Sequence, residues 1–171
     1  MNEEDSVLVK RFKLGEEKAF DLLFERYQRV LYTICYRYTR NEADARELTQ
    51  DIFIKVYRNL KKFNEKCKFF TWLYRIAVNT CLSFNKRKHR DEVGLGEYIP
   101  HQPERDILLK KAIEDALEKL PGRQRMVFIL RHYQGYKFEE LAKIMNISVG
   151  AAKAHHFQAL KKLRVFLKDW L

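Results

Sequence analysis

The sequence is poor in what loops, cross-links and membranes require. Three prolines and six glycines in 171 residues leave no collagen-like or low-complexity segment. The three cysteines, Cys35, Cys67 and Cys81, form no CxxC and are odd in number, which argues against a disulfide framework. The five histidines stand at no finger spacing around them. A metal pair of Cys67 or Cys81 with His89 is outweighed by the reading of small thiols in a reduced compartment, so neither metal nor cofactor is expected. No stretch approaches the run of about 20 apolar residues needed to span a bilayer. The opening Met1-Asn2-Glu3-Glu4-Asp5 is acidic, unlike a secretory signal. The chain therefore reads as soluble and cytoplasmic. Acid is in short supply too: 23 Asp and Glu face 34 Lys and Arg, a net +11. A polyanion is the first partner such a charge suggests.

What is present is helical. From Phe20 the apolar residues fall at Phe20, Leu23, Phe24, Tyr27, Leu31, Ile34 and Tyr38, the i, i+3, i+4 series of one long amphipathic helix ending near Arg40. A shorter set, Val7, Leu8 and Phe12, precedes it and stops at Gly15. Asn41 suits the N-cap of a third helix, with Glu42 and Asp44 favoured in its first turn by the helix dipole. Its buried face is expected at Ala45, Leu48, Ile52, Val56 and Leu60, leaving Asp44, Glu47, Asp51, Lys55 and Arg58 opposite. After a polar break at Asn64-Glu65-Lys66, a fourth helix starts near Phe70 and carries Leu73, Ile76, Ala77, Thr80 and Phe84 on one face.

Residues 91–104 differ in kind. They hold Gly94, Gly96, Pro100 and Pro103, four acids and no Lys or Arg. This is a flexible linker between two small helical domains, 1–90 and 105–171, in an all-α chain. The first domain has 20 basic and 12 acidic residues and the second 14 and 7, so units of +8 and +7 flank a strap of −4.

The second domain is expected to run Ile107–Leu120, then Pro121 at a first helical position, then Arg123–Tyr133, Phe138–Ile144 and a last helix opening at Ser148. The final pair has helix-turn-helix dimensions. Phe138, Leu141 and Ala142 point inward, Asn146 accepts the left-handed turn, Ile147 plugs the core and Ser148 caps the second helix. Such a helix enters the major groove by its N-terminal turns, here Gly150, Ala151, Lys153, Ala154, Phe157 and Gln158. Lys161, Lys162 and Arg164 follow, with no acid until Asp169.

Phe69, Phe70, Trp72 and Tyr74 crowd the start of the fourth helix beside Lys68, Arg75 and Lys86–Arg90. Rings interleaved with cations suit single-stranded nucleic acid, by stacking and phosphate neutralisation. Four rings in six positions cannot all point inward at 3.6 residues per turn, so at least one is expected to be exposed or in the loop. Asn79 offers an amide that reads a base edge or bonds within the bundle.

These segments together resemble the extracytoplasmic-function (ECF) group of bacterial sigma-70 RNA polymerase sigma factors. The similarity rests on DARELTQDIFIKVY, FFTWLYRIAVNTCLSFNKRK and LEKLPGRQRMVFILRHYQGYKFEELAKIMNISVGAAKAHHFQALKKLR. It implies that 1–90 is region 2, docking on the clamp of the largest polymerase subunit through Asp44, Leu48, Gln50, Asp51, Phe53 and Val56. It implies −10 DNA contacts at Phe69, Phe70, Trp72, Tyr74, Arg75 and Asn79, and phosphate contacts at Lys86, Arg87, Lys88 and Arg90. It makes 105–171 region 4, gripping the flap of the second-largest subunit and reading the −35 element with Ser148, Gly150, Ala151, Lys153, Ala154, Phe157, Gln158 and Lys161. An anti-sigma protein partner is implied as well. His155, His156 and Gln158 depart from a stretch where basic residues are common, as does Phe70 from a small or basic residue.

The expected function is thus promoter-specific transcription initiation without catalysis, small-molecule substrate or membrane insertion. A conventional helix-turn-helix regulator explains 105–171 but leaves the aromatic-basic helix unused. A nuclease built on Asp44 and Asp51 fails, because seven residues of helix separate them by about 10 Å.

Overall fold

The computed structural model describes residues 3–91 and 105–170, with the side chains of 85–91, 105–107 and 169 left aside. The linker 92–104 thus lies outside the described residues, as do the side chains of Lys86, Arg87, Lys88 and Arg90. Among the described residues there is no strand. The helices are α1 (Asp5–Lys13), α2 (Lys18–Thr39), α3 (Glu42–Leu60), α4 (Phe69–Asp91), α5 (Arg105–Glu118), α6 (Gly122–Phe128), α7 (Phe138–Met145) and α8 (Val149–Phe166).

Local chemistry sets the ends. Arg40 turns left-handed at φ 58°, and the Asn41 side chain accepts the Asp44 amide at 3.0 Å, so α2 and α3 fold back on each other. That cap satisfies one of the amides a helix start leaves unpaired. The face expected of α3 is buried as read, Ala45, Leu48, Ile52, Val56 and Leu60, and Phe53 joins it. Each of the larger aliphatic side chains contributes about 1.5–3 kcal/mol by leaving water. Cys35 of α2 and Cys81 of α4 meet in this core as free thiols, sulfur to sulfur 3.9 Å.

In the second half, Pro121 is the N-cap of α6 rather than its first helical residue, with ψ 139°. The helix expected as Arg123–Tyr133 widens into a π-turn over Ile129–Tyr133. Asn146 takes the left-handed conformation (φ 53°, ψ 52°) at the turn between α7 and α8, as its side chain suggested. Ser148 caps α8, its Oγ accepting the Ala151 amide at 3.0 Å.

The apolar core does not stop at the linker. From α1–α4 it continues into Met126, Val127, Ile129, Leu130, Leu141, Ile144 and Met145. A smaller cluster, Ala116, Leu117, Leu120, Ala159 and Leu163, fastens α5 to α8. Two basic units read from charge are therefore packed against each other through apolar surface.

Replacing Ser148 by Ala removes the only side-chain acceptor at the start of α8. The expected loss is about 1 kcal/mol of stability in chemical denaturation, because the Ala151 amide is left to water.

Candidate nucleic-acid interface

Helix α3 has two working flanks. Phe53, Ile54 and Tyr57 meet Phe20, Phe24 and Tyr32 of α2 along an open groove of about 800 Å³. Its floor is aromatic: Phe24 lies 4.6 Å from Phe53 and Phe20 lies 5.0 Å from Tyr57, ring centre to ring centre. Arg29, Arg46 and Arg58 rim it against one acid, Glu25, so the rim is basic. Of the docking residues expected from sequence, Gln50 and Phe53 line this groove. Leu48 and Val56 do not: both are buried in the core and hold α3 in place. Asp44 and Asp51 are half-buried and stand outside the groove lining, so the expected exposed carboxylate row is not what this surface presents. Phe20, Phe24, Ile54 and Tyr57 also line the groove, and the sequence reading did not single them out for a surface. Their signal was an apolar residue beyond what the buried stripe needs, since Phe24, Ile54 and Tyr57 remain about 40% exposed.

The other flank of α3 faces α4 across a second cavity of about 410 Å³. Trp72, Ile76, Asn79 and Ser83 line it from α4 at i, i+4, i+7 and i+11, which is one helix face. Lys55, Asn59, Lys62 and Phe63 close the opposite side. Lys55 Nζ donates to Thr80 Oγ1 at 3.0 Å, which places a cation at the wall. Trp72 stacks within an aromatic cluster, 4.9 Å from Phe63 and 5.9 Å from Phe69. The chemistry on offer is an aromatic plane, exposed amides and two ammonium groups around an open space of about 410 Å³.

The loop that carries Phe63 is pinned from outside. Lys13, the last residue of α1, donates to the Phe63 carbonyl at 2.6 Å and to Glu65 at 3.0 Å, while Glu65 itself is left-handed at φ 58°. Nothing in the sequence linked residue 13 to residue 63. Lys13 is a positioning residue: it sets the loop, and the loop sets Phe63 and Lys62.

The remaining aromatic positions have other neighbours. Phe69 and Tyr74 are buried. Phe70 packs on Tyr136 of the second half at 5.5 Å, and Arg75 Nε donates to the Lys143 carbonyl of α7 at 2.7 Å. Phe70 is thus covered by the other half of the chain, and Trp72 is the ring that borders open space.

On α8, Ser148, Gly150, Lys153, Ala154, Phe157, Gln158 and Lys161 are exposed and Ala151 is half-buried. Phe157 is the most open at 64%. His156 turns away from this face. Its Nε2 lies 2.8 Å from Nε2 of His132, with ring centres 5.0 Å apart, so the imidazoles meet head to head and one donates to the other. Phe128 lies against His132, and Phe138 meets His156 edge-on. Burial lowers the pKa of both histidines below the ordinary range, and Arg131 adds to this at each. The His132 ring does the same to His156.

An aromatic groove, a cavity lined by Trp72, amides and lysines, and a capped helix with an exposed lysine are three surfaces of different chemistry on one basic chain. The Sigma-70 region 2 profile matches residues 23–91 and the Sigma-70 region 4 profile matches residues 110–163, more than half of the chain. The chain belongs to the sigma-70 family. Its similarity extends to whole relatives. RNA polymerase sigma-H factor of Pseudomonas aeruginosa is 32% identical over 99% of this chain and 96% of its own. The ECF RNA polymerase sigma-E factor of Escherichia coli K12 is 35% identical over 91% and 90%. Among solved structures, CnrH in complex with the cytosolic domain of CnrY superposes with a TM-score of 0.73 at 25% identity, covering 96% of this chain and 97% of that one. This sigma factor therefore serves promoter-directed transcription initiation, in a family of non-enzymatic initiation factors. Among the described residues no helix is long and apolar enough to cross a membrane.

Two outcomes test this geometry. Lys13→Met should weaken binding to single-stranded promoter DNA several-fold while binding to a duplex −35 fragment stays unchanged, and Lys13→Arg should restore it; equal loss on both ligands would mean a general folding defect. The histidine pair makes a pH prediction. Their folded pKa values lie below the unfolded value of about 6.5, so the unfolded state takes up protons first and stability falls as pH drops below about 6.5. Thermal denaturation between neutral and mildly acidic pH should show this slope, and His132→Phe with His156→Ile should flatten it.

Proposed function

We propose a residue-level division of the initiation task over these three surfaces. The α2–α3 groove takes a helical element of the polymerase clamp, with Phe24, Phe53, Ile54 and Tyr57 as the apolar contact and Arg29, Arg46 and Arg58 pairing with acids on the partner. The observation behind this is an aromatic groove left open on a water-facing surface, the usual mark of an interaction site. The α3–α4 cavity takes a base extruded from the −10 element, stacked beside Trp72 and read by Asn79. Lys55 and Lys62, with Lys86, Arg87, Lys88 and Arg90 beyond, meet the strand's phosphates. The outer face of α8, led by Lys153 and Gln158, reads the −35 duplex. On this reading 1–90 and 105–171 work as separate units joined by 91–104, in the cytoplasm, where the polymerase is.

The single observation that carries the proposal is the placement of Trp72 and Asn79 on one face of α4, opening into a cavity walled by lysines. A conventional duplex-binding regulator has no use for such a seat. The complex of CnrH with the cytosolic domain of CnrY supports a further part of the reading, that this sigma factor also binds a protein partner other than the polymerase.

Transcription with purified core polymerase on genomic fragments tests the whole proposal. Discrete start sites with a shared upstream sequence are expected, and absence of binding to core polymerase would sink it. Within that assay, Trp72→Ala should cost roughly 1–3 kcal/mol in strand capture if the ring stacks on a base. A pre-melted bubble should rescue the variant, since opening and not duplex docking is impaired. Ile54→Asp should instead lower affinity for core polymerase and leave binding to single-stranded DNA intact.

A further inference from the structure

The histidine pair behind α8 is a feature that promoter recognition does not use. His132 stands in the π-turn Ile129–Tyr133 and His156 in the middle of α8, 24 residues further along the chain. Their Nε2 atoms face each other at 2.8 Å, with the two rings within 15° of one plane. Phe128 lies flat against His132, at 4.3 Å and 27°, and Phe138 meets the edge of His156 at 5.3 Å. The rings thus have apolar walls and one shared polar point between them. The π-turn that carries His132 gives up regular helical bonding, and such turns occur frequently at functional sites.

In a neutral pair one imidazole donates its Nε2 proton and the other accepts it, so one of the two lone pairs lies under that proton. When the proton passes through water to Nδ1 of the same ring, both Nε2 lone pairs are free and the charge is unchanged. His132 is exposed, so water reaches it. Two free imidazole nitrogens aimed at one point are ligands for a borderline transition cation. Bonds of about 2.0–2.1 Å meeting at a tetrahedral angle set such nitrogens about 3.3 Å apart, so the pair has to open by roughly half an ångström and tilt. Flat stacking on Phe128 lets the His132 ring turn in its own plane. Imidazole suits zinc, nickel and copper, whereas magnesium and calcium take oxygen ligands. The neighbouring cation, Arg131, is bonded to the Tyr136 carbonyl at 2.8 Å and lies over the Phe138 ring. Its charge disfavours a dication held by attraction alone, which selects ions that bond to nitrogen.

We propose that His132 and His156 form a two-ligand site for a divalent transition cation of the zinc, nickel and copper group, and that the bound ion ties the π-turn to the middle of α8. Among the described residues no third His, Cys, Asp or Glu completes the set. The remaining positions go to water, so the site is open and a side chain of a partner can take one of them. His156 directly precedes Phe157 and Gln158 of the exposed face, so the ion holds that helix from behind. No sequence spacing announces the site, because its two ligands are 24 residues apart. The proposal does not depend on how the promoter is read.

Full-length protein without a polyhistidine tag tests the site, with zinc and nickel salts as probes and a magnesium salt as control. Free zinc or nickel at about a hundred times its Kd should lower the unfolding constant in chemical denaturation about a hundredfold, and magnesium should not. In NMR, zinc should move the ring-nitrogen signals of His132 and His156 together, saturating at one ion per chain, and leave those of His155 in place. His132→Phe, which keeps a ring against Phe128, and His156→Gln should each abolish the stabilisation and the response of the remaining ring, while His155→Gln keeps both. Stabilisation that survives both ligand substitutions, or that magnesium matches, overturns the site. So does a wild type whose His132 and His156 ring signals do not respond to zinc, a result that requires no variant to fold.

Discussion

A helix of 3.6 residues per turn can bury one face against one neighbour, and α4 carries more apolar and aromatic surface than one face holds. The rest of the molecule is arranged around that excess. Phe69, Leu73, Ala77 and Cys81 take the inward face against α2 and its neighbours. Trp72 and Ile76 fall on the flank toward α3, where the loop after α3 supplies Phe63 as a ring partner and a cavity remains. Phe70 and Tyr74 fall on the opposite flank, toward the second half. Tyr136 and α7 cover them. The packing of the two halves is thus a consequence of helix periodicity applied to FFTWLYRIAVN, and the same constraint leaves the α3–α4 cavity open on one side.

The cover adds polar contacts to an apolar core that both halves share. Met126, Val127, Ile129 and Leu130 continue that core, and beside them stand ring edges, arginines on carbonyls and one partly exposed ion pair. A partly exposed ion pair contributes little, and a buried arginine bonded only to carbonyls offsets its own desolvation at best.

The helices were legible because their signals are local. Asn41 and Ser148 cap where a short polar side chain can reach a free amide, Asn146 turns where an amide side chain tolerates positive φ, and the i, i+4 stripe of α3 names its buried face. What was not legible depends on elements distant in sequence. Leu48 and Val56 belong to the same helix as Phe53, and only packing against α2 shows that Phe53 borders a groove while the other two do not. The acids of α3 suggested an acidic docking face, yet the groove draws its rim from Arg29 of α2 with Arg46 and Arg58, which no single-helix reading assembles. Lys13 escaped notice because its bond to the Phe63 carbonyl spans 50 residues. His156 gave no local sign of its neighbour, because His132, whose ring it meets, stands 24 residues earlier.

The basic rim of the groove bears on how one basic chain discriminates between a protein and a nucleic acid. If docking relied on charge alone, DNA would compete for every basic surface, since phosphate attraction is indifferent to sequence. An aromatic floor alters the balance: burial of rings is driven by water release and is insensitive to salt, whereas each lysine–phosphate contact weakens as salt rises. The groove therefore favours a partner that buries apolar area, and its arginines select one with acidic flanks. The α3–α4 cavity and α8 combine few rings with several lysines and favour the polyanion. Net charge brings the chain near both partners, and the distribution of apolar surface decides which surface each of them keeps.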